Sequence, residues 1–269
     1  MKIFDCVTFF EEERLMSLRF NILNSYVDKF IVCESLYDHR GRRKKINFNK
    51  KKFPLFEKKI VHTICKKFPP DIGPWERQAF QREHILKVLN IATDEDLIMF
   101  SDPDEIPNPK ALKNIQLTGK YGIFLQKLFY YKLNLQDKKL GCNWEGTRIS
   151  KKKNLKSINY LRQKVIKKNL KYGFWRIDKE KNIQLINNGG WHFSYLLTPR
   201  EIKKKIQTFA HTEFDLDEFT NYKNIKNCIK KGLDLFKRNV IYKQVKIDKT
   251  YPDYIKENTK LLKQWIAFN

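Results

Sequence analysis

Leu97-Ile98-Met99-Phe100-Ser101-Asp102-Pro103-Asp104-Glu105-Ile106-Pro107 is the stretch on which the reading of this chain turns. A short apolar run bounded by acids and prolines has the character of a buried strand. In an open α/β sheet the carboxyl ends of such strands face the ligand crevice. Asp102, Asp104 and Glu105 therefore arrive together where a ligand would sit. Clustered carboxylates repel one another unless a hard cation that takes oxygen ligands, Mg²⁺ or Mn²⁺, neutralises them. Asp-x-Asp at a strand end accordingly suggests a metal that holds a diphosphate. The plainer reading of the same residues is an Asp- and Pro-rich turn capping a helix that begins near Asn108, and the rest of the chain has to weigh between the two.

Upstream lie two more apolar runs, Ile3 to Phe10 and Phe30 to Cys33. Helix-periodic segments separate the three runs: Glu12 to Val27, with Leu15, Leu18, Ile22 and Leu23 on one face, and Trp75 to Leu89, with Phe80, Ile85, Val88 and Leu89. Strand alternating with helix predicts an α/β fold whose N-terminal half is Rossmann-like, a parallel sheet with crossover helices. The basic run His39-Arg40-Gly41-Arg42-Arg43-Lys44-Lys45 breaks periodicity and reads as an exposed loop, either a solvated charge run or a clamp on phosphates or an acidic acceptor. Downstream, Gly122 to Leu133 and Gly146 to Ser150 read as strands of a mixed, partly antiparallel portion of the same sheet. Asn187 to Tyr195 reads as a glycine-hinged turn entering an aromatic strand, and helices are expected over Pro199–Phe209, Tyr222–Phe236 and Pro252–Trp265. With no internal repeat and no low-complexity linker, residues 1–269 are expected to form a single domain.

The 269 residues are 41% hydrophobic, enough for a real core, and carry a formal net charge of +25. The excess is almost all Lys, spread from Lys2 to Lys263, rather than a localised Arg-rich stripe. It therefore reads as a solvated surface coloured by AT-rich codon usage, and no nucleic-acid partner is expected, although a basic surface favours anionic partners of any kind. The cysteines, Cys6, Cys33, Cys65, Cys142 and Cys228, include no C-x-x-C pair, which excludes zinc-ribbon and redox-motif readings. The strand-like run starts at Ile3, leaving no room for a signal peptide, and no apolar stretch approaches a membrane span. The expectation is a cytoplasmic protein, at most peripheral to a membrane, of bacterial or viral source.

Five motifs in order along the chain carry a resemblance: Val32-Cys33-Glu34-Ser35, Trp75-x4-Phe80-Gln81-Arg82, Ser101-Asp102-Pro103-Asp104-Glu105-Ile106-Pro107, Gly189-Gly190-Trp191-His192-Phe193-Ser194 and Phe209-Ala210-His211-Thr212-Glu213-Phe214. Together they resemble glycosyltransferase family 17, from about Ile3 to Trp265. The resemblance implies a GT-A type fold, a UDP-sugar donor (UDP-GlcNAc in the animal members), a divalent metal, and transfer to a glycan acceptor with inversion at the anomeric carbon. The chain is expected to depart from the animal members in having no N-terminal anchor and stem and a shorter stretch between the Asp cluster and the Gly-Gly-Trp-His segment, which leaves the acceptor unnamed.

Such a reaction needs three things of the residues. Departure of UDP builds negative charge on the diphosphate, which a cation would stabilise; Asp102 and Asp104 are the candidate metal and ribose ligands, Asp104 the more direct one, and His192 the candidate third metal ligand, against the plain reading of His192 as a core histidine. The acceptor hydroxyl needs a base on the face opposite the leaving group: Glu213 first, because the animal members also place a carboxylate there before a Phe, then Glu145 and Asp215. The nucleotide needs recognition: Glu34, at the end of the second strand, for uracil or ribose or as a structural cap, and Arg82 for the diphosphate or as a brace to the Asp cluster. Trp75, Trp144 and Trp191 are candidates for stacking on sugars, with core packing the expected role for at least two of them. The competing readings are a nucleotidyltransferase, which would want a Gly-rich loop with a Lys near the first strand, and a basic nucleic-acid-binding module.

Overall fold

Alternate residues of the first strand serve two different cores. The computed structural model describes residues 1–267. Its first half runs β1 (Ile3–Phe9), α1 (Glu13–Leu23), β2 (Lys29–Ser35), β3 (Ile60–Cys65), α2 (Pro74–Glu83) and β4 (Leu97–Ser101). β1 pairs parallel with β2 and with β4, and β2 parallel with β3. Ile3, Val7 and Phe9 join the core under α1, while Phe4 and Cys6 join the core on the opposite face with Ile85 and Leu89. A strand covered on both faces must be apolar almost throughout, which is why these strands read as continuous runs rather than as alternation.

The second half follows as β5 (Glu105–Pro107), α3 (Pro109–Leu112), β6 (Tyr121–Tyr130), β7 (Leu135–Gln136), β8 (Trp144–Lys151), α4 (Ile158–Gln163), β9 (Ile183–Ser194), α5 (Pro199–Ile206), α6 (Asp217–Thr220), α7 (Tyr222–Lys231), β10 (Lys243–Gln244) and α8 (Asp253–Glu257). β8 runs antiparallel between β4 and β6, giving one mixed sheet in the order β10-β7-β6-β8-β4-β1-β2-β3, and β9 joins β6 in parallel and β5 antiparallel. Three expected helices are shorter than their periodicity suggests. The stretch from Trp75 breaks after Glu83 into a 3₁₀ segment, His84–Ile91. α7 stops at Lys231 because Gly232 takes a left-handed cap at φ 64°. Pro252 to Trp265 forms only α8 and a 3₁₀ turn, Lys263–Trp265. Among the described residues no helix is long and apolar enough to cross a membrane.

Two expectations about loops are corrected. Gly189 and Gly190 are not a hinge before a strand; they lie inside β9, at a register shift against β6 between Phe124 and Gln126. A Cβ on Gly189 would sit 2.6 Å from the Leu125 nitrogen, and one on Gly190 2.2 Å from the Ile106 oxygen, so both positions exist to let three strands approach. The basic run after Asp38 is not a free surface loop either. Arg40 pairs with Asp215 at 2.7 Å and Arg42 donates to the Gln207 carbonyl at 2.6 Å, which ties the loop to the C-terminal half, while Lys44 pairs with Glu34 at the end of β2.

One buried charge holds the first half to the acidic turn. Arg19, on the apolar face of α1, is fully buried and donates from Nε and Nη2 to the two Asp5 oxygens, at 2.6 Å each. Its remaining donors reach Ser101 Oγ at 2.8 Å and the Glu105 carbonyl at 2.7 Å, bracketing the turn between them. An Arg19→Met variant is expected to lose about 3–5 kcal/mol of stability, because Asp5 is left charged and unpaired in the core. Chemical denaturation measures this, and an Asp5→Leu/Arg19→Met double variant should recover much of the loss. A single variant as stable as the parent would show that the pair does not hold the turn.

Candidate active site

A cleft of about 890 Å³ opens at the carboxyl ends of β1, β2 and β4, where Phe10, Tyr37 and the turn Asp102–Glu105 line it. The far walls come from the start of β8, from α4, from β9 and from the segment after α5. The chain brings the three carboxylates of the turn to this cleft but gives them different company. Asp102 accepts from Arg82 at 3.1 Å and from Arg162, on α4, at 2.7 Å. Glu105 accepts from Arg162 at 2.8 Å and from the Trp144 indole at 2.9 Å, and its other oxygen takes the Asp102 backbone N–H at 3.1 Å. Asp104 faces His192 Nε2 at 3.3 Å and Lys205 at 3.6 Å.

The electrostatics follow from these contacts. Burial works against ionisation of Asp102, but Arg162 and Arg82 outweigh it and lower its pKa to about 2. Burial likewise opposes the charged form of Asp104, and the His192 and Lys205 partners more than compensate, holding its carboxyl well below the ordinary range. Both groups are thus carboxylates at any working pH.

His192 reaches Asp104 through backbone pairing. β5 sits antiparallel to β9 with Glu105 opposite His192, and Phe193 N–H donates to the Asp104 carbonyl at 2.8 Å. The Trp144 ring lies 4.4 Å from the His192 ring, and His192 Nδ1 is buried with no hydrogen-bond partner among the described residues. An imidazole nitrogen and a carboxylate oxygen aimed at each other on a cleft wall are a fitting pair of donors for Mn²⁺ or Mg²⁺, which commonly takes few protein ligands and completes its shell with substrate phosphate. Among the described residues no group of three or more His, Cys, Asp or Glu side chains is set to hold a metal by itself, and both oxygens of Asp102 are taken by guanidinium groups.

The remaining candidates divide between cleft and scaffold. Arg82 is buried and braces Asp102 from α2. Glu34 does not line the cleft: it is fully buried, with Lys44 and the Asn47 N–H on one oxygen and the Phe48 N–H on the other, and it caps the basic loop. Glu145 lines the cleft, where its carboxylate accepts the Lys167 N–H at 2.9 Å and pairs with Arg148 at 3.4 Å. Glu213 sits at the rim, more than half exposed, with its carboxylate 2.7 Å from His211 Nδ1; it is His211 that lines the cleft, with Trp75 edge-on at 4.4 Å. Asp215 is committed to Arg40. Of the three tryptophans considered for stacking, Trp191 is a core residue, whereas Trp75 and Trp144 line the cleft, so core packing holds for one of them and not for two. Arg162, Lys205 and His211 were not singled out by sequence reasoning. Arg162 and Lys205 are ordinary polar residues in their own segments and are marked only by their distant partners Asp102, Glu105 and Asp104, and His211 is marked by its place in the cleft wall.

The sequence profile of glycosyltransferase family 17 matches residues 1–241, most of the chain and all of the segments that build the cleft as far as Arg238. The chain belongs to glycosyltransferase family 17. Within the family's reach, it is similar to the β-1,4-mannosyl-glycoprotein 4-β-N-acetylglucosaminyltransferases of Rattus norvegicus and Homo sapiens, each 21% identical over 86% of this chain. The matched region is 48% of those proteins, so the chain spans about half the length of the curated relatives it matches. Among solved structures, the inositol-1-phosphate CTP transferase from T. maritima aligns over 87% of this chain and 98% of its own at a TM-score of 0.31 and 11% identity.

Proposed function

We propose that the cleft binds a UDP-sugar and transfers the sugar, N-acetylglucosamine by the names of the relatives, with inversion to the hydroxyl of a glycan acceptor, within a GT-A type arrangement of the sheet. The observation that carries this reading is the placing of the Asp102–Glu105 turn at the carboxyl end of β4, in the crevice shared with the ends of β1 and β2 and flanked by Arg82, Arg162 and Lys205. A crevice at strand ends is where open α/β sheets take nucleotides, and the cations beside it suit a diphosphate.

Asp104 and His192 are the residues that would hold a divalent cation, which when bound would neutralise charge on the departing diphosphate. Arg162 and Lys205 contribute positive charge from the chain itself, preorganised by Glu105 and Asp104. Asp102 keeps Arg82 and Arg162 aimed into the cleft. On the acceptor side, His211 takes the hydroxyl proton at Nε2 while Glu213 holds Nδ1 and stabilises the imidazolium that forms. Trp75 and Trp144, both lining the cleft, offer flat apolar faces for sugar rings. Calorimetry of UDP and UDP-GlcNAc, with Mn²⁺ and with chelator, tests the reading. Micromolar binding that strengthens with Mn²⁺ supports it, and no binding of either ligand in any condition removes it.

A further inference from the structure

Past α4 the chain makes a 3₁₀ segment, Lys167–Lys171, and then a tight turn that closes on itself: Arg176 N–H donates to the Gly173 carbonyl at 3.1 Å, Ile177 N–H to Trp175 at 2.9 Å and Lys179 N–H to Arg176 at 3.1 Å. Among the described residues, the turn carries the largest concentration of exposed apolar side chains. Phe174 is 88% exposed, Trp175 70% and Ile177 95%, with Leu170 beside them at 41%. Other exposed apolar side chains, such as Leu55 and Leu261, stand singly, as they do on any soluble protein. The tip also packs on itself: Phe174 and Trp175 meet edge to face at 5.4 Å, and the Trp175 indole folds over Gly173, where a Cβ would lie 2.4 Å from the ring.

Around this tip the charge is one-sided. From Lys164 to Lys181 stand Lys164, Lys167, Lys168, Lys171, Arg176, Lys179 and Lys181 against only Asp178 and Glu180. Asp178 is shared by Arg176 and Lys179, so the exposed Lys164, Lys168 and Lys171 form an uncompensated collar. A small convex apolar tip with an aromatic pair, ringed by Lys rather than Arg, is poorly suited to a protein partner, whose interfaces deplete Lys. It matches what a bilayer surface takes: an aromatic at headgroup depth and amines on lipid phosphates, two weak signals that bind together.

We propose that the Phe174–Ile177 turn is a docking tip for an anionic membrane surface. Phe174, Trp175 and Ile177 enter the headgroup and upper acyl region, and the lysine collar rests on the phosphates. Gln163, Ile166 and Lys168, just before the tip, line the cleft, so docking brings the cleft mouth beside the headgroups. On the glycosyl-transfer reading above, on which only this sentence rests, the acceptor is then one displayed at a membrane.

Sedimentation with phosphatidylcholine vesicles, with and without phosphatidylglycerol, tests the tip on the full chain. Binding is expected only with the anionic lipid, to weaken with salt, and to fall by on the order of tenfold or more in Phe174→Ser/Trp175→Ser/Ile177→Ser, because the bound area is largely apolar. Ile177→Asp, at the most exposed position, tests the same point without risk to the fold, and Lys164→Glu/Lys171→Glu should weaken binding comparably. Equal binding to neutral vesicles, no binding to anionic ones, or unchanged binding in Ile177→Asp and the triple variant overturns the proposal. So does self-association without lipid that the triple variant relieves, since the tip would then be a contact between copies. UDP calorimetry on the same preparations keeps the outcomes apart: a protein that binds UDP but no vesicle loses only the tip.

Discussion

An Asp104→Asn variant is expected to transfer sugar at least roughly 10²–10³-fold more slowly than the parent, the usual loss when one preorganised electrostatic group is taken from a transition state. The substitution keeps the shape of the side chain and removes the charge that faces His192 Nε2 at 3.3 Å and Lys205 at 3.6 Å. If Asp104 and His192 are the pair that holds a divalent cation, UDP affinity in Mn²⁺ should fall in this variant to the value measured with chelator. A purely structural Asp104 behaves differently. It would lower the melting temperature, because His192 and Lys205 lose their partner, while leaving the Mn²⁺ dependence of UDP binding intact. Asp102→Asn is the informative companion. Its oxygens are held by Arg82 and Arg162, so it should misplace those cations and weaken UDP binding with and without metal alike. If Asp102→Asn abolishes the Mn²⁺ dependence and Asp104→Asn does not, the two carboxylates have to exchange roles.

His211→Gln is expected to lower transfer by about 10²–10⁴-fold, the range general-base catalysis supplies, with UDP affinity nearly unchanged. The motivation is the division of labour at the rim: His211 lines the cleft, and Glu213, outside it, accepts at Nδ1. Glu213→Gln should then cost less than His211→Gln. The contact holds the Glu213 carboxyl below its ordinary range, first of all through the His211 hydrogen bond. Glu145→Gln is the control inside the cleft. A collapse confined to Glu145→Gln would transfer the role to that residue, and a Glu213→Gln loss larger than that of His211→Gln would point to the carboxylate itself as the base.

Much of the framework was legible in residues 1–107 because continuous apolar runs and 3.6-residue periodicity are local signals. β1, β2, β4, α1 and the acidic turn stand where they were read, and the run of motifs that resembles family 17 lies within a chain whose residues 1–241 match that family. β3 escaped notice, since Ile60–Cys65 is an edge strand only partly buried, with polar His62 and Thr63 inside it. The basic run after Asp38 looked free because the partners that tie Arg40 and Arg42 to the C-terminal half lie more than 160 residues away. Gly189-Gly190 looked like a hinge because a close approach of three strands and a flexible turn ask for the same residue.

From the sequence by itself came the α/β class, the carboxylate turn at a strand end and the family, because apolar periodicity and contiguous motifs need no partner to be seen. The tertiary structure alone decided the company of each charge. Arg19 under the turn, Arg162 between Asp102 and Glu105, Lys205 beside Asp104 and His211 ahead of Glu213 are separated from their partners in the chain or turned toward the cleft by the fold. Electrostatic energy depends on distance and burial rather than on position in the chain, so which carboxylate meets a guanidinium and which meets an imidazole is settled only when the strands and helices have packed.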